Sequence, residues 1–127
     1  LLGGLCARLR VPKRFCELAR LAARYHGKVH KVDELRAATI QDLFDGVDLF
    51  RRPERFDEML LACEADFRGR TGYEERPYPQ AELLRHLASA ACSVDAGAIA
   101  RACEDRAQIP ERLRSARISA IRTARKR

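Results

Sequence analysis

Tryptophan is absent, methionine occurs once, and only 6% of the residues are aromatic. A core of large interlocking rings is therefore excluded, and any core has to be assembled from Leu, Ala, Val, Ile and a few Phe. Long apolar runs are missing as well. None approaches the ~20 residues that span a bilayer, and no charged leader precedes an apolar segment, which argues against a membrane partner and predicts a cytoplasmic setting. The five cysteines, Cys6, Cys16, Cys63, Cys92 and Cys103, are odd in number and scattered, with no CxxC pair. That spacing excludes a zinc ribbon or a thioredoxin-type redox pair and predicts reduced thiols, with Cys16, Cys63 and Cys92 acting as small core residues. No segment alternates apolar and polar residues over a strand's length, so a sheet is not expected.

What remains is helical. The chain has 127 residues, 46% of them hydrophobic, enough for one domain with a real core. Pro12 suits a first helical turn, and Phe15, Leu18, Ala19, Ala22 and Tyr25 follow at three- and four-residue spacing. Thr39 with Asp42 resembles a capping arrangement ahead of Ile40, Leu43, Phe44 and Val47, with Gly46 weakening the end. Pro53 opens a segment striped by Phe56, Met59, Leu60, Cys63 and Phe67 that stops before Gly69. The stretch 68–79, RGRTGYEERPYP, cannot continue a helix. Helical patterns resume over Gln80–Val94 and Ala96–Ala107, and Pro110 starts a last helix. The expected architecture is an all-α helical bundle with a basic C-terminal helix, divided into 1–94 and a helical tail region, 95–127.

The formal charge of +7 is unevenly placed. From Ile109 onward seven Lys or Arg stand against Glu111 alone, which suits either a polyanion such as nucleic acid or a solvated helix end. The start, Leu1-Leu2-Gly3-Gly4-Leu5, carries no initiator Met and reads as the middle of an element, so a longer protein is expected, whose other part holds chemistry.

Few residues point to chemistry by themselves. His26 and His30 are four apart and share a helix face, a spacing compatible with a shared metal, a phosphate contact or a capped helix end. Asp66 follows Phe56, Met59 and Cys63 by ten, seven and three residues and so falls on the apolar face near a helix C-terminus. A carboxylate there calls for a metal ion, a histidine or an arginine, with an ion pair to Arg68 or Arg70 as the structural alternative. Arg68, Arg70 and Arg76 are interleaved with Tyr73 and Tyr78, a combination that holds phosphates and stacks on bases, or caps carbonyls around Gly69 and Gly72. Arg114 and Arg117 belong to the basic last helix and are further candidates for RNA or phosphate contact. His86 stands on a mixed helical surface with no chemistry implied.

Several strings resemble a known family. LRVPKRFCELARL (9–21), YHGKVHK (25–31), DLFDGVDLFRRPERFDEML (42–60) and above all CEADFRGRTGYEERPYPQAELLR (63–85) are similar to the C-terminal region of bacterial multifunctional CCA-adding enzymes, tRNA nucleotidyltransferases that carry an HD-type phosphohydrolase domain. The likeness runs from about Leu5 to Arg85, and Glu64–Gly72 is its most specific part. The resemblance implies a partial HD-type helical domain behind an upstream nucleotidyltransferase head that adds C, C and A to tRNA using CTP and ATP with Mg²⁺. It also implies a phosphohydrolase acting on 2′,3′-cyclic phosphates, 2′-nucleotides and small phosphate esters with a divalent metal, magnesium or a transition metal. Asp66 resembles the later aspartate of the HD metal set. His26 matches a second His-Asp pair, in which Gly27 replaces the aspartate; the principal pair is expected upstream of Leu1. The partner implied is tRNA. This segment by itself is expected to bind no cofactor and to be inactive in both reactions. The competing readings are a stand-alone helical RNA-binding module and a structural surface, for instance of a homodimer, built on Leu113, Ala116, Ala120, Ile121 and Ala124.

Overall fold

Four prolines mark helix starts, as their fixed φ and missing N–H require. The computed structural model describes residues 12–126, and among these there is no strand. The all-α expectation holds. Helix α1 is Lys13–His30, α2 Ala37–Gly46, α3 Pro53–Arg68, α4 Pro79–Cys92, α5 Ala96–Ala102 and α6 Ile109–Arg125, with 3-10 turns at Val32–Glu34 and Arg106–Gln108. Pro12 stands at the N-cap of α1, and prolines occupy the first turns of α3, α4 and α6. The reading of Leu1–Leu5 and the expectation for Cys6 lie outside the described residues.

Several local expectations are corrected. Thr39 does not cap α2, which begins at Ala37 with Arg36 at the N-cap and no side-chain cap. The helix expected over Ala96–Ala107 stops at Ala102, because Cys103 is extended and Asp105 diverts the chain by accepting from the Ala107 N–H at 3.0 Å. Along α1 the buried face is Cys16, Tyr25 and Val29, while Phe15 stays 55% exposed. The buried stripe is turned from the one read off the sequence, because Glu17 faces α3 and pairs with Arg55 at 2.7 Å. Cys16 is disulfide-bonded, which overturns the expectation of a reduced thiol there; Cys63, Cys92 and Cys103 are free, and of the two read as core residues Cys63 is buried while Cys92 is exposed. Thiol pairing follows spatial approach, which spacing along the chain does not reveal.

Helices α1 and α3 lie side by side and point the same way. Glu17 meets Arg55 near their starts, and His30 meets Asp66 near their ends. Helix α4 packs chiefly on α6, running against it: His86 faces Ala124 at 3.2 Å, and further along α4 Cys92 lies within the influence of Arg117, earlier on α6. Helix α6 also covers α2, and its Ile121 and Ala124 enter one core with Ile40, Phe44, Met59, Leu84 and Leu87. Phe44 and Phe56 meet edge to face, with centroids 5.6 Å apart, an arrangement worth about 1 kcal/mol beyond the area buried. Arg125 closes the structure. Its guanidinium donates to the carbonyls of Val32, Asp33 and Leu35, fastening the end of α6 to the 3-10 turn between α1 and α2. As a result the ends of α1, α3 and α6 and the starts of α2 and α4 gather at one end of the bundle.

Candidate functional site

At that end Tyr25 and Val29 are drawn into the core, and helical spacing leaves His26 outward and His30 at the boundary. The imidazole of His30 is held on both sides. Its Nδ1 lies 2.6 Å from the Tyr78 hydroxyl, and its Nε2 lies 3.4 Å from Asp66 Oδ2. The first distance is that of a strong bond and the second is at the outer limit, so Tyr78 fixes the ring and Asp66 is the looser partner. Gln80 adds a bond from its Nε2 to the His30 carbonyl at 3.1 Å. Tyr78 is buried, and its phenol is pushed above the ordinary value of 10.0, first by burial and then by the nearby Cys63, Asp66 and Glu64. A phenol kept protonated donates to Nδ1. In the neutral tautomer that accepts this bond, the ring proton is on Nε2, on the side of the Asp66 carboxylate.

Phe67 underlies this pair, with its ring 5.1 Å from both Tyr73 and Tyr78. Beyond it the arginine loop folds back in short turns, from Arg70 N–H to Phe67 O and from Tyr73 N–H to Arg70 O, through Gly72 at φ 87°. Gly72 permits that left-handed bend at no steric cost. Arg76 lies over the Tyr73 ring at 4.2 Å, Arg68 pairs with Glu64 at 3.5 Å and donates to Arg76 O, and Arg70 reaches Asp66 at 4.0 Å. Glu64, Arg68, Tyr78 and Arg85 border a shallow cleft of about 270 Å³ beside the start of α4.

The candidate residues thus separate into two groups. Asp66, Arg68, Arg70 and Arg76 come together around His30 and Tyr78. Asp66 is 55% exposed rather than buried, because the last turn of α3 runs past the edge of the core; its partners are a histidine and an arginine. His26 stands next to His30, ring centroids 5.7 Å apart, but its Nδ1 is directed at the carbonyls of Ala22 and Ala23. Among the described residues no group of three or more His, Cys, Asp or Glu side chains is arranged to hold a metal ion, so His30 and Asp66 offer two donors without a closed site. Arg114 and Arg117 lie elsewhere on α6. Arg114 is clasped by Asp42 at 2.7 Å and Asp45 at 3.7 Å, and Arg117 lies over the Phe50 ring at 3.6 Å. Tyr78 as the anchor of His30 was not visible in the sequence, where 48 positions separate the two. The nearest signal was the expectation that Asp66 needs a histidine.

The geometry can be set beside known proteins. The chain is 51% identical over 93% of its length to the multifunctional CCA protein of Dechloromonas aromatica (strain RCB). It is 54% identical over 89% to that of Nitrosospira multiformis (strain ATCC 25196 / NCIMB 11849 / C 71), and 54% identical over 95% to that of Burkholderia multivorans (strain ATCC 17616 / 249). The chain is similar, along nearly its whole length, to one part of the multifunctional CCA proteins. It spans under a third of these relatives, 27% to 30% of their lengths. The multifunctional CCA proteins therefore extend well beyond the bundle described above. No family model matches the chain, and no solved structure matches it. No described helix is long and apolar enough to cross a membrane.

Proposed function

We propose that this chain is the carboxy-terminal helical region of a cytoplasmic tRNA CCA-adding nucleotidyltransferase that also carries an HD-type phosphohydrolase. The observation that carries the reading is identity of about half along nearly the whole chain to proteins named multifunctional CCA protein. In this reading the nucleotidyltransferase head, with its CTP, ATP and tRNA substrates, belongs to the remaining two thirds of the protein. The bundle supplies one wall of the phosphohydrolase site and part of the tRNA surface.

Asp66 is the residue assigned to the metal, and His26, whose ring adjoins that of His30, is the second candidate. A divalent ion polarises a phosphate ester and activates water when bound. The described donors do not close such a site, so the remaining ligands come from outside this stretch, and the stretch alone is inactive. Arg68, Arg70 and Arg76 are assigned to phosphate. Their position around Asp66 supports this, and Arg114 and Arg117 take second place because they lie on α6 away from Asp66, Arg114 held by Asp42 and Arg117 over Phe50.

The test compares this chain with the full-length protein for CMP and AMP incorporation into tRNA and for 2′,3′-cyclic phosphodiesterase activity with added divalent metal. Both activities are expected in the full-length protein only, and Asp66→Ala is expected to abolish the second while leaving the first. Phosphodiesterase activity unaffected by Asp66→Ala in the full-length protein would remove Asp66 from the site, and absence of CMP and AMP incorporation would refute the nucleotidyltransferase assignment.

A further inference from the structure

Most arginines near the helix ends are paired: Arg14 with Glu58, Arg55 with Glu17, Arg68 with Glu64, Arg70 with Asp66 and Arg114 with Asp42. Other cations lack such a partner among the described residues, and four of these share one place. Arg36, Arg122, Arg125 and Lys126, with Ala37, line one cavity of about 350 Å³ between the start of α2 and the end of α6, and none of the four has a carboxylate within 4.0 Å among the described residues. Arg125 spends its fork on the three carbonyls of the 3-10 turn. Its charge stays in place, and Arg36, Arg122 and Lys126 are exposed and able to reach a ligand.

Helix ends do not neutralise this charge. The end of α6 contributes about −0.5 and the start of α2 about +0.5 of an elementary charge, so the two roughly cancel and leave the formal cations. Helix α2 has no side-chain cap and no acidic residue in its first turn, so nothing negative competes at its N-terminus. Asp33 and Glu34 stand on the adjoining turn and lower the local potential, but neither pairs with the four.

The cavity lies at the same end of the bundle as the arginine loop. His30, beside that loop, and Arg36, at the cavity, are joined by six residues, a path no longer than about 20 Å. Two anion-favouring positions within about 20 Å of each other suit phosphates a few nucleotides apart on one polynucleotide strand. We infer that Arg36, Arg122 and Lys126 form a second phosphate-contact site, which together with the Arg68–Arg76 loop holds one nucleic-acid backbone across this end of the bundle. The inference rests on the tRNA reading above and names where that partner's backbone runs beyond the loop.

The experiment measures binding of a fluorescein-labelled hairpin RNA to the full-length protein by anisotropy over a salt series. Compared with it are the triple variant Arg36→Gln/Arg122→Gln/Lys126→Gln and a control of equal charge change, Arg101→Gln/Arg106→Gln/Arg112→Gln, with folding of each checked by circular dichroism. Each lost phosphate contact lowers the slope of log K against log salt by about 0.9. The cavity variant is expected to lose about two units of slope and at least about tenfold in affinity, and the control is expected to stay near the unsubstituted protein. Unchanged binding by the cavity variant, or an equal loss in the control, overturns the inference. Failure of the underlying reading shows separately, as absence of CMP and AMP incorporation by the unsubstituted protein. Competition by inorganic phosphate as strong as by unlabelled RNA would assign the cavity to a free anion and also overturn it.

Discussion

The hydroxyl of Tyr78 and the Nδ1 of His30, 2.6 Å apart, form the strongest side-chain link between α1 and α4. Tyr78→Phe keeps the ring against Phe67 and removes only this bond. A half-buried imidazole nitrogen left without its donor costs about 1–2 kcal/mol. Urea denaturation followed by circular dichroism should show that loss, and a midpoint equal to that of the unsubstituted chain would mean that water replaces the phenol.

Cys63 gives the fold an alkaline weakness. Burial first, and the negative charge of Asp66 second, push its thiol up to about 11 from the ordinary 9.0. Because the folded value is raised, the stabilisation is complete below pH 9, where both states keep the proton. It is lost as pH rises through 11, since the unfolded chain ionises first. The full effect is about 2–3 kcal/mol. Stability measured from pH 8 to 11 should fall less steeply in Cys63→Ala than in the unsubstituted chain; parallel curves would refute the assignment.

Arg125 satisfies three carbonyls of one turn and holds the end of α6 against it. Arg125→Ala should cost about 2–3 kcal/mol, as expected for charge-assisted bonds to partly buried acceptors. Arg125→Lys should recover only part, since an ammonium group cannot present a planar fork. The readout is the thermal midpoint. A Lys variant as stable as the parent would show that charge, rather than geometry, closes the bundle.

Gly46 ends α2 against the buried ring of Tyr25, where any Cβ would overlap the hydroxyl. Gly46→Ala should destabilise by about 1–3 kcal/mol through overpacking. Tyr25→Phe, by removing the oxygen that is met first, should recover part of that loss in the double variant. Additive losses in a double-mutant cycle would show that the two sites do not touch.

Much of the scaffold was legible. The prolines at 12, 53 and 110 stand at helix starts as read, Pro79, read as the end of the preceding loop, opens α4, and the stripe Phe56, Met59, Leu60 and Cys63 is buried as read. The site was legible only in its composition. Asp66 lies on the register of the apolar stripe, yet whether the last turn of α3 is covered depends on how far its neighbours extend, and they stop short of it. Gln41, to which no sequence signal drew attention, is 1% exposed. Arg36, Arg122 and Lys126 meet only because the Arg125 closure brings the end of α6 to the start of α2. Periodicity orients each helix and says nothing of which helices become neighbours.

The closure between Arg125 and Leu35 joins residues 90 positions apart. During synthesis the turn at Val32–Glu34 leaves the ribosome long before α6 exists, and its carbonyls remain in water until residue 125 emerges. Ile40, Leu43 and Phe44 wait equally long for the cover that Ile121 provides. Completion of the bundle therefore waits for α6, and until α6 is made the growing chain lacks the cover for that apolar face.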